Sequence, residues 1–284
     1  MSMTRARFLA CALLWLGASC VAAGPLRIVT TPDVLDDYRR LYAHADPLAV
    51  DYEVPGQRRD VVELLLVQQA LRQGGIAEAP QFITAPTYRR MLALVADGHA
   101  DLTGNTVWDF DVRADTTRLR ASSQLIADGD FLANFYRASG QTAIGDRIRR
   151  GEWTALRAVS SRHWEPDWQA LSSLGLAEVA DVPDWPAMVR MVAAGRADFL
   201  LAPALPPGQP ILLVGNVQLE PVAGVCLAFN GARTLAIGRH SPPELYAALE
   251  RGLAELRGHG RIARAYDRAG FLTDAQRRCR RLNP

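Results

Sequence analysis

Two stretches of this chain, 97 positions apart, carry matching residues at matching offsets. The first runs Tyr88-Arg-Arg-Met-Leu-Ala-Leu-Val-Ala-Asp-Gly-His-Ala-Asp to Asp101; the second runs Trp185-Pro-Ala-Met-Val-Arg-Met-Val-Ala-Ala-Gly-Arg-Ala-Asp to Asp198. An aromatic residue, a Met, a Val-Ala pair, a Gly and an Ala-Asp pair coincide, and each copy runs into an apolar stretch. An amphipathic helix stopped by Gly and feeding a buried strand produces this pattern. Two copies imply two similar α/β lobes.

The rest of the chain fits that frame. Leu26 to Thr31 reads as a buried strand, Val61 to Gln73 as a helix closed by Gly74-Gly75, and Pro80 to Thr84 as a second strand. A helix from about Thr87 to Asp97 and a strand over Ala100–Thr103 follow. Phe131 to Arg137 reads as a strand crossing between lobes, and Leu156 to Ser161 as the strand that opens the second lobe. Strands alternating with helices argue for a mainly parallel sheet. Pro203 to Pro210 reads as a loop, Ile211 to Val214 and Thr234 to Gly238 as strands, and Pro242 to Leu256 and Arg261 to Ala269 as helices. Arg277 to Pro284 reads as a solvated basic tail.

Residues 1–23 read as an export signal. A short basic start with Arg5 and Arg7 precedes the apolar run Phe8 to Gly17, which is too short to span a bilayer, and Val21-Ala22-Ala23 offers a cleavage site. Lipidation at Cys20 is the alternative, but Gly17 stands where a lipobox carries Leu. Without that segment, thirty Arg balance thirty acidic residues, and there is no Lys. Nucleic-acid binders carry a basic excess, so that class is excluded. A periplasmic protein with no membrane insertion is expected.

Cys226 and Cys279 remain after cleavage. In an oxidising compartment they can pair; the other reading is a buried Cys226 and a free Cys279 in the tail. The five His are scattered, no metal site is expected, and no nucleotide loop or nucleophile–base pair stands out.

The signal segment, the opening strand, the two helix-Gly-x-x-Asp units and the crossing strand together resemble the periplasmic solute-binding proteins of family 3. These are the amino-acid-type receptors of ABC importers. The resemblance implies a type II periplasmic binding fold: two Rossmann-like α/β lobes joined by two crossing strands, closing like a hinge. Residues 24–130 and 225–284 would form lobe 1, and 131–224 an inserted lobe 2. It also implies a monomer, no cofactor, a small-molecule ligand and an ABC permease as partner.

Site residues carry over singly. Tyr88, thirteen before Asp101, matches the family's ligand-packing aromatic; Arg113, twelve after it, matches the ligand-carboxylate Arg. Asn105 and Thr106 fall where the strand end offers polar groups, and Trp108 replaces a small hydroxyl residue. In the second lobe, Pro203 stands where the family places the Asp that binds an ammonium group. Ser160, Ser161 and Trp164 lie in the loop expected to face the cleft, although the Ser pair also suits a helix entry and Trp164 also suits a core position. Asp101 and Asp198 read as turn residues. The expected function is capture of a small carboxylate-bearing or zwitterionic solute without catalysis. The rivals are a cyclohexadienyl-type dehydratase, with Glu165 as its acid, and a sensing receptor without an importer.

Overall fold

The computed structural model describes residues 24–42, 45–50, 52, 54, 57–205 and 210–282. The export segment, with Cys20 and the site after Ala23, lies outside the described residues.

Both copies of the repeated unit fold alike. Helix Tyr88–Ala96 is capped by Thr87, whose side chain accepts the Arg90 N–H; helix Trp185–Ala193 is capped by Asp184, which accepts the Ala187 N–H. Each helix ends at a glycine in the left-handed region, Gly98 (φ 80°) and Gly195 (φ 69°), a conformation that costs a Cβ-bearing residue energy. The aspartates then fasten the turn. Asp101 Oδ2 accepts the backbone N–H of Arg27 at 2.7 Å and Oδ1 meets the Arg27 guanidinium at 3.1 Å. Asp198 repeats this with Arg157 at 2.7 and 3.2 Å. The turn reading of both aspartates holds, and the Arg partners, each opening its lobe's first strand, explain why a carboxylate stands there.

The first sheet has the order Gln81–Thr84, Arg27–Thr30, Leu102–Thr103, Ala236–Gly238, Leu119–Ala121, and its first three strands are parallel. The second sheet contains the matching run Glu178–Asp181, Arg157–Ser160, Phe199–Ala202 in parallel, with Phe131–Ala138 antiparallel beside it. In each lobe the first strand is flanked by the two that follow it. The crevice at the carboxyl ends of such strands is where open α/β sheets bind ligands.

The lobes differ in bulk. Helix Arg59–Gln73 is buried from Val61 through Leu71 and packs along helix Pro243–Gly258, giving the first lobe a two-helix layer beneath its sheet. Strands Phe131–Ala138 and Val225–Phe229 pair antiparallel and carry the chain out of the first lobe and back. The tail's Arg280 and Arg281 are exposed, as the solvated reading expects, but its backbone is paired. Arg280–Arg281 adds a parallel strand to Val225–Cys226, and Cys279 is disulfide-bonded to Cys226 with their Cα atoms 5.8 Å apart. Bonding to a buried cysteine of strand Val225–Phe229 draws the tail onto the protein.

Candidate functional site

The carboxyl ends of the first lobe's central strands hold a buried polar cluster. Thr30 donates to Asn105 Oδ1, and Asn105 Nδ2 donates to the Asp60 carbonyl at 2.8 Å, which fixes the loop between strand Leu102–Thr103 and helix Arg59–Gln73. Thr106 gives both its donors to Glu63: its N–H to Oε2 at 2.9 Å and its hydroxyl to Oε1 at 2.8 Å. Arg59 and the Tyr266 hydroxyl also donate to Glu63 Oε1, at 2.8 and 3.1 Å. Four hydrogen bonds, one of them also an ion pair, thus hold a carboxylate that has no exposed surface.

Arg233 completes the cluster. It stands opposite Trp108 in a short antiparallel pair, so its guanidinium lies over the indole, 4.6 Å from the ring centroid. Its Nε donates to Thr106 Oγ1 at 3.2 Å, and Nη2 donates to the Thr106 carbonyl. On its other side, Phe131 lies 5.3 Å away; Arg59 stacks on the same ring at 5.2 Å and on Phe271 at 5.7 Å. Two cations and three rings alternate from Trp108 to Phe271. Burial, followed by repulsion from Arg59, holds the Arg233 guanidinium below its ordinary pKa. For Arg59, burial pulls the same way, but Asp60 and Glu63 outweigh it and raise the value.

The sequence candidates in this lobe gather around that cluster. The Tyr88 hydroxyl accepts the Trp108 N–H at 2.9 Å and donates to Asp111 at 2.6 Å. Burial raises its pKa against the pull of Arg233, and Asp111 raises it further. Trp108 is buried among Phe110, Phe131 and Phe229. Arg113 ion-pairs with Asp109, one turn earlier on helix Asp109–Arg113, and its side chain is 65% exposed.

The second lobe contributes a quieter surface. Ser160 and Ser161 are buried at the end of strand Arg157–Ser160. The Ser161 hydroxyl accepts the His163 N–H at 3.2 Å and its carbonyl accepts the Trp164 N–H at 2.9 Å, so this Ser shapes the entry to helix Glu165–Ser173. Trp164 is 37% exposed and tilts against Trp185 at 6.0 Å. Pro203 offers a carbonyl, which the Tyr136 hydroxyl occupies at 2.8 Å. The lobes meet where Glu165 approaches Arg89 at 3.7 Å, and where helix Glu165–Ser173 packs on strand Val225–Phe229. Asp167, in the first turn of that helix, feels the charge of Arg233. Burial pushes its carboxyl up to about 7, against the opposing effects of its own backbone N–H and Arg233.

Arg59, Glu63, Asp167 and Arg233 are absent from the sequence-level candidates. Two of them left a trace: Glu63 interrupts the apolar run Val61–Val67, and Arg233 interrupts Ala232–Ile237. A lone charge inside a buried element needs a partner. Asp167 left no such mark. Two cavities of about 290 and 490 Å³ lie on the first lobe, and neither is lined by a sequence-level candidate or by any residue of 131–224. Among the described residues, no group of three or more His, Cys, Asp or Glu is placed to hold a metal, and no helix is long and apolar enough to cross a membrane.

The sequence matches no protein-family model, and no curated protein matches it at a significant level. Solved structures do match in fold. The GluR0 ligand-binding core, in complex with L-glutamate, superposes with a TM-score of 0.56 at 12% identity over 88% of this chain and 99% of that one. The periplasmic VFT2 domain of Bordetella pertussis BvgS gives 0.54 at 16% identity, over 73% and 83%. A periplasmic His/Glu/Gln/Arg/opine family-binding protein from Silicibacter pomeroyi, in complex with lysine, gives 0.50 at 10% identity, over 75% and 88%. At these identities the likeness is one of fold. Two α/β lobes with this strand order form the type II periplasmic binding fold.

Proposed function

On this scaffold, we propose that the chain is a periplasmic receptor that takes a small carboxylate-bearing or zwitterionic solute into the cleft between its lobes, without chemical conversion. Residues 24–130 with 225–284 act as one closing unit and 131–224 as the other. The observation that carries the reading is the meeting of the two sets of strand ends. A buried cationic and aromatic cluster lies on the first lobe, and Asp167 of the second lobe feels the charge of its Arg233. Concave sites with a few placed polar groups among apolar walls are the usual design for small ligands. Glutamate and lysine in the named structures support the solute class.

Asn105 and Thr106 present the floor, Tyr88 and Trp108 the first-lobe wall, and Ser160, Ser161 and Trp164 the opposite wall, with Arg113 at the rim. The protein acts as a monomer, and an ABC permease receives the solute. A thermal-shift screen of small acids, amines and sugars tests the reading, because a ligand at a hundred times its Kd adds about 2.7 kcal/mol of stability. Small-angle scattering with the best hit should show a smaller radius of gyration. A screen in which nothing stabilises the protein sinks the receptor reading.

A further inference from the structure

Arg233 is 6% exposed, yet no carboxylate forms an ion pair or hydrogen bond with it among the described residues. Each of the other cations near this site has an acid. Arg59 holds Glu63 and Asp60, Arg113 holds Asp109, and Arg89 meets Glu165. Glu63 and Asp60 reach Arg233 by charge without touching it. A buried cation with no carboxylate in direct contact is costly, and proteins retain one where something else supplies the contact.

The hydrogen bonds that Arg233 does make decide how such an anion would approach. A guanidinium has five N–H donors. Thr106 takes one from Nε and one from Nη2, occupying the side edge of the fork. Both Nη1 donors and the second Nη2 donor stay unused by the described residues, and one Nη1–H with that Nη2–H forms the end-on edge. That edge matches the two oxygens of a carboxylate. Thr106, stacked Trp108 and Phe131 fix the plane of the guanidinium, so little side-chain freedom is lost on binding. From the opposite lobe, Asp167 acts on Arg233 by charge alone and forms no ion pair with it.

We propose that Arg233 anchors the solute's carboxylate, which binds end-on to Nη1 and Nη2 at the back of the cleft, with Arg113 outside the contact. This rests on the receptor reading, and it narrows the ligand to one with a free planar oxyanion. Benzoate and acetate serve as probes, with benzamide and acetamide as neutral isosteres. Protein labelled at the arginine side-chain nitrogens and Cζ is titrated by NMR, with signals assigned by loss in Arg233→Lys and Arg113→Lys. Lysine keeps the charge where Arg233→Ala would leave Thr106 without its partner.

Benzoate and acetate should shift the Arg233 signal saturably while their amides do not. Arg233→Lys should weaken benzoate at least tenfold with the melting transition still cooperative. A saturable shift at Arg113 with none at Arg233 would overturn the assignment and leave the receptor reading in place. Equal shifts by benzoate and benzamide, or no saturable shift at either arginine, would overturn it too. In the last case, the amine and sugar arms of the thermal-shift screen decide whether the receptor reading survives.

Discussion

In the first lobe Asp101 ties Arg27 to strand Leu102–Thr103, and in the second Asp198 ties Arg157 to Phe199–Ala202, with contacts equal to within 0.1 Å. Five residues after each aspartate the lobes part company. Thr106 lies in a network of two cations, a buried carboxylate and a tyrosine, whereas Pro203 offers a single carbonyl. The repeated unit is therefore scaffold: it sets where a strand ends and leaves open what is displayed there. The first lobe gathers buried charge at its strand ends. The second carries an exposed Arg162–Asp181 pair, a neutral turn at Pro203 and one acid, Asp167, that is unpaired among the described residues.

If that division is real, the largest effect lies at Glu63. Glu63→Gln removes a fully buried negative charge that lies between Arg59 and the Thr106–Arg233 contact. Breaking a buried ion pair from one side costs about 3–5 kcal/mol, because the remaining charge stays buried. Ser161→Ala, which removes two local hydroxyl contacts in the second lobe, with the His163 N–H and its Nδ1, should cost about 1–2 kcal/mol. Urea denaturation of both variants measures the contrast. Equal losses would mean that the charged cluster does not organise its lobe.

Next come the two staples. Asp101→Asn and Asp198→Asn should each cost about 1.5–3 kcal/mol, the range for hydrogen bonds to charged groups. Asp101 should lie higher, since His240 (3.4 Å) and Ser241 (3.4 Å) also gather on it. Burial would raise the Asp101 carboxyl, but the hydrogen bonds and charge of Arg27, with help from His240, hold it below 3.8. A depressed folded pKa means stability that is present above the ordinary value and lost as pH falls through the folded one. The gap between wild type and Asp101→Asn should therefore close in acid. A gap that persists at pH 2 would assign the loss to packing.

The scaffold was legible in the sequence because helix caps, glycine stops and apolar runs are local. The paired strands and the crossing strand follow from these local patterns, whereas the candidates Tyr88, Asn105, Thr106 and Trp108 rest on the family resemblance. The cluster was not legible, because Thr106 meets Arg233 across 127 residues and Glu63 meets Tyr266 across 203. With thirty-two arginines in the chain, residue type alone singles out none. The tail's exposure was legible, since Arg280 and Arg281 are solvated, but its pairing with strand Val225–Phe229 was not, because the Cys226–Cys279 bond spans 53 residues.

The isolated acid of the second lobe gives a smaller effect of opposite sign. Burial raises the Asp167 carboxyl from 3.8 to about 7, so its ionised form disfavours the folded state. Asp167→Asn should stabilise the protein at pH 8 by about 1 kcal/mol, with solvent at its partly exposed side chain limiting the gain. The gain should be absent below about pH 3.8, grow towards pH 7 and stay level above it. Melting curves across that range test it. Asp101 and Asp167 then respond to pH in opposite directions, one from each lobe.

The smallest effect belongs to Arg113, and it sharpens the contrast between an exposed arginine and the buried Arg233. Its side chain is 65% exposed and already paired to Asp109 at helix spacing, an arrangement worth about 0.3–0.5 kcal/mol. Arg113→Ala should leave the melting temperature almost unchanged. As a rim charge, Arg113 attracts an anion over distance, so the variant should weaken benzoate binding by about threefold or less at low salt. In 0.5 M salt, with a Debye length of a few ångströms, that difference should vanish. A contact sealed from solvent is screened far less, so the tenfold loss expected for Arg233→Lys should survive the same salt. Calorimetry of the two variants at both ionic strengths separates the roles. A tenfold or larger loss in Arg113→Ala that persists in high salt would move the anchor to the rim and leave Arg233 with its packing role beneath Trp108.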